Sequence, residues 1–351
     1  VALYTLHAGD ITMQVTNYGA RVVSLWTPDR EGRYEDIVLG YENIGRYIDN
    51  TGERFLGAVV GPYANRIAKG HFTLDGAEYT LPVNNNGQTL HGGLLGVDRV
   101  VWDVVSASDD KLVLHYLHPD GQDGFPGNLD IEMTYSLTPE NEFRIDYSAT
   151  TDKPTIINMT NHSYFNLAGD PSKTSTDNIM YVNADYYTPV DSTFMTTGEM
   201  MAVKDTPFDF NTAKAISEGV TDFSNEQVRF GNGFDHNWVL NAKGDINRRA
   251  ASLKSQKTGI VLDVYTNEPG VQVYAGNNSR AARTEAQNIG YKVKEYFPDL
   301  KVYTTFTSPR WLCRVGDFRT IEEADATMRQ LRSTGVFKEV SIVKEQVNIP
   351  L

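Results

Sequence analysis

The sequence is poorest in cysteine. Cys313 is the only one in 351 residues, so no intrachain disulfide can form and no multi-cysteine metal centre can be built, which leaves either redox compartment open. Long apolar runs are also missing. No stretch approaches the ~20 residues a helix needs to cross a bilayer, which argues against a membrane span. Nor is there a basic surplus: 32 Lys+Arg against 45 Asp+Glu leave a formal charge of −13, a balance that argues against nucleic acid as a partner. No secretory leader pattern is visible after Val1. What is present, with 40% hydrophobic residues, suffices for one large or two ordinary domains with a real core.

Composition changes near Gly270. Residues 270–351 carry 12 Lys+Arg and 9 Asp+Glu, a net of +3, so the first 269 carry 20 − 36 = −16. All seven histidines precede that point and the cysteine follows it. Two units of different origin are expected, over residues 1–269 and 270–351.

The first unit has strand patterning. Leu129, Ile131, Met133, Tyr135 and Leu137 alternate with polar residues, and Phe143, Ile145, Tyr147 and Ala149 repeat the pattern after a turn-rich Thr138–Glu142. That predicts two half-buried antiparallel strands in a hairpin. Turn signals recur at Pro28-Asp29, Asp75-Gly76, Asn84 to Gly87 and Asp120 to Gly124, with scarcely any sustained helical period between them. The expectation is mainly β, an antiparallel β-sandwich or barrel.

The tail reads differently. After a short strand at Val271 to Ala275, Ala282, Ala286, Ile289 and Val293 fall at helical spacing from about Ser279 to Phe297, and Pro298 ends that helix. Lys301 to Thr307 and Leu312 to Phe318 read as strands. Thr320-Ile321-Glu322-Glu323 is a capping box for a second helix with Ala324, Met328 and Leu331 inward, closed by Gly335. A last strand at Val340 to Val347 completes a β-α-β-β-α-β order, the small α+β ferredoxin-like pattern.

Three histidines stand out by their neighbours: His91 in Thr-Leu-His-Gly-Gly, His162 in Asn-His-Ser-Tyr-Phe-Asn-Leu and His236 in Gly-Phe-Asp-His-Asn-Trp. Histidine suits proton transfer because its ordinary pKa lies near neutrality. Small and amide neighbours admit a polar ligand, although each histidine taken alone reads more readily as a structural or surface residue. Asn65-Arg66 sets an amide beside a planar guanidinium, a pairing suited to adjacent sugar hydroxyls; a surface loop is the plainer reading. Asp235 is an acceptor next to His236 or the cap of a turn.

Taken together, Thr-Asn-Tyr-Gly-Ala-Arg at 16–21, Asn-Arg-Ile at 65–67, Leu-His-Gly-Gly at 90–93, Gly-Phe-Pro-Gly-Asn-Leu at 124–129, Asn-His-Ser-Tyr-Phe-Asn-Leu at 161–167 and Glu-Pro-Gly-Val-Gln-Val-Tyr at 268–274 resemble the aldose 1-epimerase, or galactose mutarotase, family from Leu3 to about Asn277. The resemblance implies a large β-sandwich that interconverts the α and β anomers of hexoses such as galactose or glucose, with no cofactor and no metal, in the cytoplasm. It makes His162 the general acid at the ring oxygen and His91 a hydrogen-bonding partner near the reacting centre. Asn65, Arg66, Asp235 and Gln272 would grip hydroxyls.

One departure bears on activity. The family's general base is a glutamate in a Leu-Glu-Thr-Gln-His-Phe-Pro-Asp type motif some thirty residues after Val-Gln-Val-Tyr, and this chain has none. Aligning Phe297-Pro298-Asp299 with that motif sets Val293, not Glu295, at the base position; Glu285 falls too early. The sandwich is therefore expected to be truncated at its C-terminal end.

The tail, from about Gly270 to Val347, resembles a SPOR domain, which implies recognition of peptidoglycan glycan and a periplasmic or cell-envelope location. Its sheet-face candidates are Gln272, Tyr274, Arg314 and Trp311. Residues 271–274 match both families, so one strand is claimed by two sheets, which points to a junction within it. The alternative to an epimerase is then a non-catalytic carbohydrate-binding protein, its remnant site holding a hexose and its tail holding glycan.

Overall fold

Strict alternation sets the first sheets. Along Leu129–Leu137 the five apolar side chains are buried and the polar ones between them point outward, as a strand with one face on a core requires. The computed structural model describes residues 1–41, 43–49, 53–169, 174–276, 289, 292–307, 310–316, 318, 320–337 and 340–342. It is mainly β and divides into two units, Val1–Asn277 and Asn278–Leu351.

In the first unit, Leu3–Ala8, Ile11–Thr16, Arg21–Pro28 and Tyr34–Asp36 form one antiparallel meander, and Asp103–Ala107, Lys111–His118, Leu129–Leu137 and Phe143–Thr151 form another. Their inner faces share a core that includes Met13, Val15, Val22, Trp102, Leu114, Ile131 and Tyr135. This is the sandwich the alternation predicts, including the expected hairpin, with Leu137 opposite Phe143. A second core gathers Met180, Tyr187, Phe208, Phe210, Phe234 and Trp238 beneath two further four-stranded sheets. One of these runs Met201–Ala202, Tyr186–Thr188, Asp235–Val239, Gly270–Tyr274 in spatial order. The strand claimed by both resemblances is thus paired inside the first unit, Asp235 opposite Tyr274 and Asn237 opposite Gln272.

In the second unit, Val302–Thr307 pairs antiparallel with Arg310–Val315. The latter strand stops short of the expected Phe318 because Gly316 turns to φ +80°, a left-handed conformation that ends extended pairing. The helix Ile321–Ser333 opens at the expected cap, where Thr320 Oγ1 accepts the Glu323 N–H at 3.2 Å, and it buries Leu331. Such a cap contributes about 1 kcal/mol. Residues 292–296 are helical, with Val293 buried and Glu295 exposed. The rest of the helix expected from Ser279, with Glu285, lies outside the described residues, as do 343–347 of the last strand; 340–342 are not extended into a strand.

Candidate active site

Two histidines meet although 71 residues separate them. His162 follows the strand Thr160–Asn161, which pairs with Val59–Val60. Its backbone N–H donates to the Ala58 carbonyl at 2.7 Å, and its carbonyl accepts the Gly57 N–H at 3.1 Å. Asn161 ties that strand to the core, donating to the Tyr135 hydroxyl at 2.9 Å and to the Gly57 carbonyl at 3.1 Å. His91 follows Thr89–Leu90, which pairs with Arg66–Ile67. The two imidazoles stand edge to face with ring centroids 5.2 Å apart. Phe55 lies 4.7 Å from His91 and 5.8 Å from His162.

His91 sits at φ +51° and Asn65 at φ +65°, conformations that cost energy in residues other than glycine and persist where contacts enforce them. They hold each other. The Asn65 N–H donates to His91 Nδ1 at 2.9 Å, and the His91 N–H donates to the Asn65 carbonyl at 3.0 Å. With Nδ1 an acceptor, the neutral ring carries its proton on Nε2 and presents a donor. Gly92 explains the glycines that follow: a Cβ there would stand 1.8 Å from the Gly61 carbonyl oxygen.

Asp235, Asn65, Arg66 and Gln272 come together beside this pair. Gln272 Nε2 donates to Asp235 Oδ1 at 2.8 Å, and Asn65 Nδ2 donates to Gln272 Oε1 at 3.3 Å. Arg66 reaches Asn85 Oδ1 with Nη2 at 3.2 Å, and its guanidinium lies 5.0 Å over the Phe194 ring. Tyr274, a candidate for the tail's sheet face, stands 6.4 Å from His162 and 5.8 Å from Tyr164. All six residues expected from the sequence are therefore in one neighbourhood. His236 is not among them. Strand alternation turns it to the other face, where it is fully buried 4.8 Å from Phe208.

Burial holds His91 well below the ordinary histidine range, helped by the neighbouring His162, Arg66 and Arg54. It also lowers His162, against the pull of the Glu53 and Asp235 carboxylates. The Asp235 carboxyl is raised by burial, opposed by Arg66, its bond to Gln272, and His162. Both histidines remain half-buried rather than sealed. The arrangement is a proton-transferring pair flanked by planar donors and acceptors, the equipment that handling a neutral polyhydroxyl ligand needs. No group of His, Cys, Asp and Glu among the described residues could hold a metal ion.

The sequence motifs left out Glu53, Phe55, Asn85 and Phe194. Arg21, which one motif contains, proves architectural. It is buried, and it donates through Nη1 to the carbonyls of Arg54 and Leu56 and through Nη2 to that of Asp98. The only sequence signal for Phe55 was its place just ahead of Leu56-Gly57-Ala58.

The family model described as aldose 1-epimerase matches residues 2–303. The chain belongs to the aldose 1-epimerase family. Galactose mutarotase of Bos taurus is 38% identical over 278 residues, 79% of this chain and 78% of that protein. Aldose 1-epimerase of Escherichia coli (strain K12) is 36% identical over 314 residues, 88% and 89%. The structure of a GalM/aldose epimerase homologue from C. elegans superimposes with a TM-score of 0.72 at 30% identity, covering 78% of this chain and 81% of that one. The SPOR domain model matches residues 267–340, so the aldose 1-epimerase match and the SPOR match overlap from 267 to 303. No helix among the described residues is long and apolar enough to cross a membrane. Arg314 lies on Arg310–Val315 in the second unit, with Trp311 on the same strand and its side chain outside the description.

Proposed function

We propose that the first unit interconverts the α and β anomers of a hexose such as galactose by general acid–base ring opening. The observation that carries this reading is the His91–His162 pair, 5.2 Å apart, beside hydroxyl-gripping groups drawn from distant segments. His162 in its protonated form gives its proton to the ring oxygen as the C1–O5 bond breaks and the O1–H proton leaves, forming the open aldehyde. Rotation about C1–C2 and the reverse transfers close the other anomer. His91 Nε2–H donates to the sugar near that centre, while Asn65, Arg66, Asp235 and Gln272 fix hydroxyls. With no counterpart to the family's glutamate motif, the O1 proton passes to solvent, and turnover falls by the roughly 10²- to 10⁴-fold that one acid–base group contributes. Polarimetry of freshly dissolved α-galactose tests the proposal. Faster approach to equilibrium, proportional to protein, supports it; a rate equal to that of buffer rejects it.

The SPOR match over 267–340 favours a second role, in which residues 278–351 are a module for peptidoglycan glycan stripped of its peptides. Sedimentation of the full chain with stripped and with intact sacculi tests this: retention by the stripped glycan alone supports it. Hexose binding without any acceleration in polarimetry would make the whole chain a carbohydrate-binding protein rather than an enzyme.

A further inference from the structure

One aromatic side chain at this site belongs to none of the motifs. Phe194 is half-buried and holds φ +65°, the left-handed region, where a bulky residue persists only if its surroundings enforce it. Three side chains do so. Asp191 Oδ1 accepts the Thr193 and Met195 N–H groups at 2.8 and 3.2 Å, closing the turn from within. Gln227 grips Val190 twice, its Oε1 accepting the Val190 N–H at 2.8 Å and its Nε2 donating to the Val190 carbonyl at 2.9 Å. Gln88 Nε2 donates to Thr193 Oγ1 at 2.9 Å, while Gln88 Oε1 accepts the Lys69 N–H at 2.6 Å. Through Gln88 the turn is tied to the segment that follows Arg66–Ile67.

We propose that Phe194 is a positioning residue of the sugar site, its ring held over the Arg66 guanidinium so that the arginine's remaining N–H groups stay set for adjacent hydroxyls of the hexose. The inference rests on the mutarotase reading above. The ring covers one face of the guanidinium, whose Cζ is 5.0 Å from the ring centroid. The guanidinium edges meet amides. Nε and Nη2 donate to Asn85 Oδ1 at 3.4 and 3.2 Å, and Nη1 donates to Asn65 Oδ1 at 3.4 Å. These bonds use one proton of each nitrogen, which leaves one on each terminal nitrogen for a ligand. They are also long, so the amides alone hold the arginine loosely. A loosely held arginine loses side-chain freedom when it grips a neutral sugar, and that loss weakens binding. An aromatic face removes the freedom beforehand, since a guanidinium is drawn to it and stacks on it. The turn accordingly carries its left-handed residue where the ring reaches the arginine. Asn85 and Gln88 close a single short turn, the Gln88 N–H donating to the Asn85 carbonyl at 2.8 Å, so one element serves both the guanidinium's edge and the loop over its face.

The test reads the arginine before any sugar is added. In the full chain with isotope-labelled arginine, the Arg66 Nε–H signal is identified by its loss in Arg66→Lys, and its exchange with water is measured by NMR. Exchange should quicken by roughly 2- to 10-fold in Phe194→Leu, which keeps apolar bulk without an aromatic face, and stay near the wild-type rate in Phe194→Tyr. Galactose binding by calorimetry should weaken by a similar factor in Phe194→Leu and be kept in Phe194→Tyr; with turnover, KM should rise by that factor and kcat change less. Phe194→Met is the second non-aromatic variant, and whichever folds with the wild-type circular dichroism decides. Unchanged exchange in that variant overturns the proposal. So does quicker exchange with undiminished galactose affinity, or an equal loss in Phe194→Tyr, which would assign the effect to packing. Failure of both non-aromatic variants to fold overturns it too, making Phe194 purely architectural. Exchange is read without ligand, so a wild-type chain that neither binds nor mutarotates galactose defeats the mutarotase reading while the hold on Arg66 is still decided.

Discussion

His91 and His162 on one side, and His118 and His236 on the other, are four histidines withdrawn from water to different ends. The first two are half-buried and ringed by Asn65, Arg66 and Asp235. The second two are 1% and 0% exposed. His118 has no hydrogen-bond partner on either ring nitrogen and lies against Tyr116 and Phe125; His236 accepts the Asp235 N–H at 3.2 Å and meets Gln227 at 3.3 Å. Burial drives each of these two down to about 4. Burial alone therefore makes a histidine inert near neutrality. What distinguishes the site pair is an open edge beside Asn65, Arg66 and Asp235, so the same residue type serves reactivity in one place and packing in the other.

The largest expected effect separates the two pairs outright. His162→Asn should lower kcat by about 10²- to 10⁴-fold while hexose binding by calorimetry stays measurable, because asparagine donates a hydrogen bond but transfers no proton at neutral pH. Equal activity in the mutant would remove the distinction.

Next is the acid response of stability, where the packed pair dominates. Each has its folded pKa depressed from 6.5 to about 4, so the unfolded chain binds protons that the folded chain refuses. Stability should be full above pH 6.5 and fall as pH drops towards 4, by about 3 kcal/mol for each histidine. Asp36 works the other way. Burial raises it from 3.8 to about 6, so its contribution is lost as pH rises through that range, which offsets roughly one of the histidines. Urea midpoints across this window should still decline towards acid. A flat profile would show that the packed pair is not sealed.

A smaller effect isolates one member. His118→Leu removes the unpartnered imidazole, and its stability relative to wild type should be better at about pH 5 than at about pH 7.5 by about 2 kcal/mol. The same difference at both pH values would assign the change to packing alone.

The smallest tests the grip. Asn65→Gly keeps the φ of +65° that glycine adopts freely, but deletes the amide that reaches Gln272. One lost neutral hydrogen bond should raise KM by roughly 2- to 10-fold with little change in kcat. A kcat loss as large as that of His162→Asn would mean that Asn65 sets His91 rather than holding sugar.

Much of this was legible before any coordinates. Leu129–Leu137 declares its buried face because period-two alternation has one physical solution, and the motifs at 65–67, 90–93, 161–167 and 268–274 contain Asn65, Arg66, His91, His162 and Gln272, which the fold brings together. Three things were hidden. Phe194 lies in a motif-free stretch, and its place over Arg66 depends on Gln88 and Gln227 reaching that turn from distant segments. The inward turn of His236 could not be read from Gly-Phe-Asp-His-Asn-Trp, since alternation separates Asp235 from His236 without saying which face is which. The allegiance of residues 270–274 also escaped composition, for a strand is assigned by the neighbour it pairs with.

The strand Asp235–Val239 carries a consequence for evolvability. Its odd-numbered side chains Asp235 and Asn237 meet the sugar-site residues of Gly270–Tyr274, while His236 and Trp238 fill the aromatic core. One ribbon therefore encodes two environments in interleaved letters. A single-residue insertion before Asp235 would exchange the two faces, setting a carboxylate among phenylalanines and an imidazole where the Asn237 amide had been. A chain that keeps both environments can therefore change length only in the loops beyond that strand, and within the strand it can change chemistry only by substitution in place.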